Sequence, residues 1–240
     1  AADPAHEGAA LGLIGILADE ERNEELLKVA RDVGERVPAS ARLRMAQGYA
    51  LHHLDRDDEA EAVFAKALTL LDSAERRDMT RLEQVVREDD AKRMAGLSPE
   101  ARAASDSLFW DIADPIRLTP TNEARVEFLS RVTFADLRYG SVEFGQKGWR
   151  TDRGIIMVRY GPPPQVASFP PEVTSGTLEP DALARVTTVW WYPVTNMRFV
   201  FVGPPAMNYA FFGGDFRFYA ENAREVAPLR FDNVLSHKVD

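Results

Sequence analysis

The sequence predicts an α+β fold in which N-terminal antiparallel helical hairpins precede a small, mostly antiparallel β-domain with flanking helices. Up to about residue 100 the chain is rich in Ala, Leu, Glu and Arg, which are strong helix formers. Twelve of the 13 Phe and all four Pro-Pro steps lie beyond that point, among apolar runs of strand length. We therefore expect a helical domain over 1–96, connecting helices over 97–144 and a β-rich domain over 145–240.

One stretch of the helical part, 41–72, has the spacing of a tightly packed helix pair. Gly48 is followed by Ala60, Phe64 and Ala67 at helical intervals. Small residues let two helices approach to about 8–10 Å, and Phe64 would fill the gap beside them. This pattern resembles the tetratricopeptide repeat. An ordinary helical hairpin is the alternative.

A second, weaker copy of this pattern precedes it. The tetratricopeptide period is about 34 residues, and one period before Ala60 and Phe64 stand Leu26 and Ala30. A degenerate first repeat is therefore expected over about 7–40. In such repeats the first helix of each pair lines a concave, partner-binding face, with a solvated face as the alternative. By helical spacing, four residues of the second repeat share that face: Arg42, Met45, Tyr49 and His52.

Three further helices are predicted before the β-rich part. The first covers about 78–94. The second follows Ser98-Pro99-Glu100, which combines a capping serine, a proline at the first helical position and an acid in the first turn. The third begins by the same logic at Thr119-Pro120. Its apolar stripe is expected to be a core face: Val126, Phe128, Leu129, Val132 and Phe134.

The segment Gly148-Trp149-Arg150-Thr151-Asp152 resembles the signature of the GWxTD-domain proteins, which occur in several bacterial groups. Other segments carry the same resemblance in order: Leu97-Ser98-Pro99-Glu100, Asp114-Pro115, Arg131-Val132-Thr133-Phe134 and Val189-Trp190-Trp191-Tyr192-Pro193. The resemblance covers about residues 95–205. It implies a β-rich domain near helical repeats, and it implies no established chemistry.

The residues of this segment also predict a structural turn by themselves. Asp152 can accept a hydrogen bond from the backbone two residues on, and Gly154 tolerates a positive φ. The run 155–158 is predicted to be a strand buried on both faces, and Trp149 a core or hinge anchor. Five residues are therefore expected to be structural, with ligand contact as the alternative: Gly148, Trp149, Thr151, Asp152 and Gly154.

Three further strands are predicted at 186–192, 197–203 and 215–219. The loop over 162–185 is long, and loops of that length inside a domain tend to be functional or mobile. The apolar segment 204–214 is either a hairpin loop packed on the core or an exposed patch for a partner.

Composition and charge argue against several classes of function. The 240 residues carry a formal net charge of −9, whereas nucleic-acid binding needs clustered Lys and Arg on one face. The chain has no cysteine, so disulfides, thiolate metal sites and cysteine nucleophiles are excluded. No apolar run reaches the roughly 18 residues of a membrane-spanning helix. We therefore expect no nucleic-acid partner and no transmembrane segment.

The residues that usually carry catalysis or bind metals form no recognised set. His52 and His53 are about 100° apart on a helix, so they cannot clamp one metal ion together. No G-x-S-x-G motif, phosphate loop or dinucleotide fingerprint is present. We therefore predict a non-enzymatic protein that uses no cofactor and no metal.

The start of the chain, Ala1-Ala2-Asp3-Pro4, has the small residues that signal-peptide cleavage leaves. A trimmed polypeptide would begin in the same way. We expect export to an extracytoplasmic, periplasmic or extracellular location.

Taken together, these patterns favour a scaffold that associates with copies of itself. Two helical hairpins leave apolar flanks uncovered, because stacked repeats bury each other's faces and about three or more are usually needed. Sheet edges can also pair with a neighbour, and contacts that do not close give open filaments. The alternative is an enzyme or small-molecule binder that uses a cleft near the GWxTD-like segment.

Overall fold

The computed structural model describes residues 4–141, 145–169 and 186–203. This part of the chain contains nine α-helices, two short 3-10 helices and one three-stranded antiparallel sheet, so the predicted α+β class is confirmed. The chain divides into two compact units, Ala1–Arg138 and Tyr139–Asp240. Most of the segment predicted to connect two domains, 97–144, therefore lies in the first unit.

Four consecutive helices open the first unit: α1 (Pro4–Asp19), α2 (Asn23–Arg36), α3 (Ala41–His52) and α4 (Asp57–Leu70). Each helix contacts the next. The connections are three or four residues long, so contacting neighbours run antiparallel. Ser40 caps α3, since its Oγ accepts a hydrogen bond from the Leu43 backbone N–H at 3.1 Å.

The crossing of α3 and α4 is close because a glycine stands where a side chain would not fit. A Cβ added at Gly48 would lie 2.6 Å from Cε1 of Phe64. Phe64 is fully buried, as are Ala60 and Ala67. The spacing found in the sequence therefore lies at a tight helix contact. The tetratricopeptide-like character of this pair stays a prediction.

The single helix predicted over 78–94 is wrong. The chain instead forms α5 (Ser73–Met79), a 3-10 turn (Leu82–Gln84) and α6 (Glu88–Ala95). The buried amide of Gln84 donates to the backbone carbonyls of Asp78 and Met79, each at 3.2 Å. These bonds satisfy carbonyls at the end of α5, so the helix can stop there.

Two longer helices, α7 (Pro99–Ala113) and α8 (Glu123–Tyr139), complete the helical part. The predicted start of α7 is confirmed, and Ser98 Oγ accepts from the Ala101 N–H at 3.2 Å. α8 begins at Glu123, after the predicted Thr119-Pro120, because Asn122 Oδ1 accepts from the Arg125 N–H at 2.9 Å. Within its predicted core stripe Phe134 is half-buried. The other four residues of the stripe are buried: Val126, Phe128, Leu129 and Val132.

The sheet of the second unit has the order β1-β2-β3 and is antiparallel throughout. Its strands are β1 (Gln165–Phe169), β2 (Val186–Tyr192) and β3 (Met197–Gly203). The strands predicted at 186–192 and 197–203 are thus confirmed, and β1 lies within the predicted loop 162–185. The predicted strand 215–219 and the segment 204–214 lie outside the described residues.

The strand predicted at 155–158 is wrong, because this run belongs to α9 (Asp152–Tyr160). Ile156, Met157 and Val158 are buried, as expected, but on a helix. A short apolar run fits a buried strand and a buried helix equally well. Thr151 decides between them by capping α9, since its Oγ1 accepts from the Gly154 N–H at 3.0 Å.

Candidate interaction site

The face of α3 that was predicted to bind a partner lies against α8. Met45 and Tyr49 are buried, and the Tyr49 ring stacks on Phe134 of α8 with the centroids 5.9 Å apart. Arg42 donates from Nε to Oδ2 of Asp136 at 2.9 Å. A helix of the same chain therefore contacts this face, and its role in binding a partner stays a prediction.

His52, the fourth residue of that face, is the centre of a polar cluster that joins α3, α4 and α8. Its Nδ1 lies 2.7 Å from Oδ1 of Asp57, and its Nε2 lies 2.7 Å from Oε2 of Glu127. Glu127 also accepts a hydrogen bond from Arg131 one turn later on α8. Because a carboxylate only accepts, both of these hydrogen bonds form together only when the His52 ring is an imidazolium. We name these four residues the His52 cluster.

The His52 cluster favours the charged forms of His52 and Glu127. The hydrogen bond to Glu127 raises the pKa of His52, burial opposes this, and Asp57 adds to the increase. In return, the hydrogen bond from His52 lowers the pKa of Glu127 to about 2, against burial and with help from Arg131. Together with the pair Arg42–Asp136, the cluster fixes α8 on α3 by charge as well as by packing.

The GWxTD-like segment builds a capped turn in the second unit. Gly148–Arg150 forms a short 3-10 helix, and Thr151 Oγ1 donates to the Gly148 carbonyl at 2.7 Å while it caps α9. A Cβ at Gly154 would lie 1.9 Å from the Gly148 carbonyl oxygen. Gly154 lies within α9, and a glycine is needed there for this close approach. Its φ is not positive, so the positive φ expected for it is wrong.

The other motif residues flank this turn. Trp149 is buried, and the Lys147 ammonium lies 5.5 Å from its ring centroid. Asp152 is half-buried in the first turn of α9, where an acidic side chain complements the helix dipole. The structure thus brings the five motif residues together around one turn. Their assignment as purely structural stays a prediction.

Sequence analysis missed a buried cation beside this turn. Arg153 of α9 is buried, and its guanidinium carbon lies 4.9 Å from the ring centroid of Phe201 and 5.9 Å from that of Trp190. These distances suit cation–π contacts. The sequence offers no local signal for them, because α9 and the strands are joined only through tertiary packing.

An apolar surface on α1 was expected only in general terms, as an uncovered flank. One side of the helix is buried: Ala10, Leu11, Ile14, Leu17 and Ala18. On the other side Leu13 is 46% and Ile16 is 56% exposed. Gly8 and Gly12 lie beside them, and a Cβ at either would meet nothing within 4 Å. We name Gly8, Gly12, Leu13 and Ile16 the α1 outer face.

A second apolar surface, on α7, was missed. No residue of this helix is buried; Leu108 is 58% and Ile112 is 63% exposed. Ala104 and Ala101 are exposed one and two turns before Leu108. The spacing of these four residues by three or four positions was the signal that could have found the surface. We name Ala101, Ala104, Leu108 and Ile112 the α7 stripe.

A cavity of about 490 Å³ in the first unit is lined by α6, α7 and the turn between α5 and α6. Its apolar wall includes Leu82, Met94 and Phe109, and none of its lining residues belongs to the GWxTD-like segment. Among the residues that the structure describes, no group of three or more His, Asp or Glu could hold a metal ion. None of the helices in the described ranges is long and apolar enough to cross a membrane.

Comparison of this chain with protein-family models, with curated proteins and with solved structures finds no match. The resemblances to tetratricopeptide repeats and to GWxTD-domain proteins therefore stay predictions from the sequence. Function is accordingly inferred from the side chains and contacts of the chain itself.

Proposed function

We propose that this chain is a non-enzymatic scaffold that associates with copies of itself through the α1 outer face. One observation carries the proposal: from Gly8 to Ala18 α1 has no polar side chain on any side, and in the part of the chain that the structure describes its neighbours bury only one side. A helix that is apolar all round is normally buried all round. Leu13 and Ile16 instead remain about half exposed. A second protein surface would remove them from water.

The shape of the α1 outer face suits another helix. Gly8 and Gly12 are one turn apart with open space above them, so a second backbone can come close at that point. Leu13 and Ile16 stand beside this gap and can enter the corresponding gap of a second copy. A surface that contacts itself in this way gives a two-fold, isologous pair. The same device operates within the chain, where Gly48 makes room for Phe64.

The position of α1 in the helical stack supports the same conclusion. We include in the proposal that α1 to α4 are two tetratricopeptide-like hairpins. In stacked repeats the terminal helix normally carries a polar outer face, which keeps the stack soluble and ends it. The α1 outer face is apolar, and so it does not have the character of a terminal cap. It has the character of an interior surface of a stack, which packs against the next copy.

Light scattering coupled to size-exclusion chromatography at micromolar concentration tests the proposal. We expect the unchanged protein to have a mass above that of one chain. Replacing Leu13 and Ile16 by Glu should lower the mass, because two charges per copy would enter the contact without partners. The matched control is Val194→Glu, since Val194 is 99% exposed in the turn between β2 and β3. An unchanged protein that elutes as a clean monomer would contradict the proposal.

A further inference from the structure

α7 is an ordered helix that presents its apolar stripe to solvent. Its inner side is held in three places. Arg102 pairs with Glu83, the Trp110 carbonyl accepts from Asn122 Nδ2 at 2.7 Å, and the Trp110 ring lies 5.2 Å from that of Phe128. These contacts fix which side of α7 faces outward. The α7 stripe is therefore an exposed surface of the first unit.

We infer that α7 packs antiparallel against α7 of a second copy, about a two-fold axis that passes through Leu108. This inference rests on the proposed self-association and adds a second interface to it. The axis places Leu108 of one copy against Leu108 of the other. Ala104 and Ile112 lie four residues before and after Leu108, so the same axis brings Ala104 of one copy onto Ile112 of the other.

The side chains on the α7 stripe are complementary under this rotation. The small Ala104 leaves space on the helix surface, and the large Ile112 of the second copy fills it. Facing positions that alternate small and large side chains interdigitate without voids. The contact occurs twice, once on each side of the central Leu108 pair. A surface that fits its own rotated copy favours a second copy of this chain as the occupant.

The charges at the two ends of α7 agree with the antiparallel direction. Glu100 is exposed in the first turn, and Arg117 is exposed just after the helix ends. An antiparallel pair brings Glu100 of one copy near Arg117 of the other, and it opposes the two helix dipoles favourably. Asp111 comes opposite Ser105, so this acidic side chain meets no like charge. A parallel pair would instead place Glu100 against Glu100.

The absence of cysteine from the chain allows a direct test by cross-linking. Leu108→Cys introduces one thiol per copy at the proposed axis, where two Cα atoms can come within the roughly 7 Å that a disulfide needs. Under mild oxidation we expect a disulfide-linked dimer on a non-reducing gel. The matched control is Val194→Cys, which is exposed and lies off the interface. Cross-linking at position 108 should be at least about ten-fold faster, because docking raises the effective thiol concentration.

A pair of variants tests the antiparallel register of the two α7 helices. This test does not depend on the result for Leu108→Cys alone. Ala104→Cys and Ile112→Cys should each cross-link poorly alone, because neither position faces itself. Mixed in equal amounts, they should form the 104–112 dimer. Circular dichroism of each variant establishes that the helices are retained. Equal cross-linking rates for Leu108→Cys and Val194→Cys, with no mixed dimer, would overturn the inference.

These experiments can refute the α1 interface and the α7 interface independently of each other. If the protein is multimeric and the Glu variants of Leu13 and Ile16 reduce it to a monomer, the proposed function stands. The α7 inference falls in that case. If those variants keep the mass of the unchanged protein while position 108 still cross-links, the α7 inference stands and the α1 outer face is not an interface. If the unchanged protein is a monomer and position 108 does not cross-link, both fall.

Discussion

The side chain of His52 connects three helices, α3, α4 and α8. Its two ring nitrogens each lie 2.7 Å from a carboxylate oxygen, one on Asp57 of α4 and one on Glu127 of α8. Only the imidazolium form donates to both. A neutral ring would leave one nitrogen lone pair facing a carboxylate. Protonation of this single residue therefore strengthens the attachment of α8 to the α3–α4 hairpin.

The His52 cluster predicts how the stability of the first unit varies with pH. The pKa of His52 is raised from 6.5 in the folded protein, so its contribution is complete below 6.5 and is lost as pH rises through the folded value. The pKa of Glu127 falls from 4.5 to about 2, so its contribution is complete above 4.5 and is lost as pH falls towards 2. The cluster therefore stabilises most between these two limits, from 4.5 to 6.5.

His52→Gln isolates this contribution. At pH 6 the substitution should lower the free energy of unfolding by about 1 kcal/mol, a charged hydrogen bond reduced because water screens the partly exposed Glu127. The difference should be smaller at pH 9, because the ring of the unchanged protein loses its proton as pH rises through its folded pKa. Urea unfolding of both proteins at the two pH values measures it. A difference of the same size at both values would rule out the charged pairing.

At the scale of elements, the fold rests on a few places where two backbones or a ring and a backbone approach closely. Gly48 lets Phe64 lie against α3, and Gly154 lets α9 start directly over the Gly148 carbonyl. Some helices begin at a capping side chain, as Ser98 caps α7 and Thr151 caps α9. The GWxTD-like segment positions α9 in the second unit through the Thr151 cap and the close contact between Gly154 and Gly148.

Replacing Gly154 by Ala tests the close contact at the start of α9. The added Cβ would lie 1.9 Å from a carbonyl oxygen, so the backbone must shift, and we expect a loss of about 2–3 kcal/mol of stability. Gly96→Ala is the matched control, since a Cβ there would lie 3.7 Å from the Arg93 carbonyl oxygen, an ordinary contact, and the φ of Gly96 is −89°. Thermal unfolding followed by circular dichroism compares them. Equal midpoints for the two variants would contradict the proposed packing.

At the scale of the whole molecule, the first unit closes one surface and leaves two others open. α8 covers the face of α3 through the His52 cluster and the pair Arg42–Asp136. The α1 outer face and the α7 stripe remain in water. Two separate isologous faces would link each copy to two neighbours, and repetition of the two contacts gives an open filament unless the axes close a ring.

This arrangement predicts how the mass changes when the two faces are altered singly and together. Leu13→Glu with Ile16→Glu should leave dimers that are joined through α7. Leu108→Glu should leave dimers that are joined through α1. All three substitutions together should give a monomer, because no apolar face remains to associate. Light scattering at equal concentrations measures the three masses, with Val194→Glu as the control that keeps the full assembly. A monomer from either set alone would show that one interface is absent.

The sequence by itself determined the α+β class, the start of α7 and the strands β2 and β3. These features depend on local signals, namely a capping Ser98, a following proline and apolar runs of strand length. It also located the Gly48–Phe64 contact, because both residues belong to one hairpin. It could not distinguish helix from strand at 155–158, since a short apolar run suits both.

Only the tertiary structure decided what covers the face of α3. His52 and Glu127 are 75 residues apart in the chain, and no local pattern records that they meet. For the same reason the sequence did not show that the stripe of α7 stays uncovered. Exposure is a property of everything that packs around a residue, and so it is settled only when the whole unit has folded.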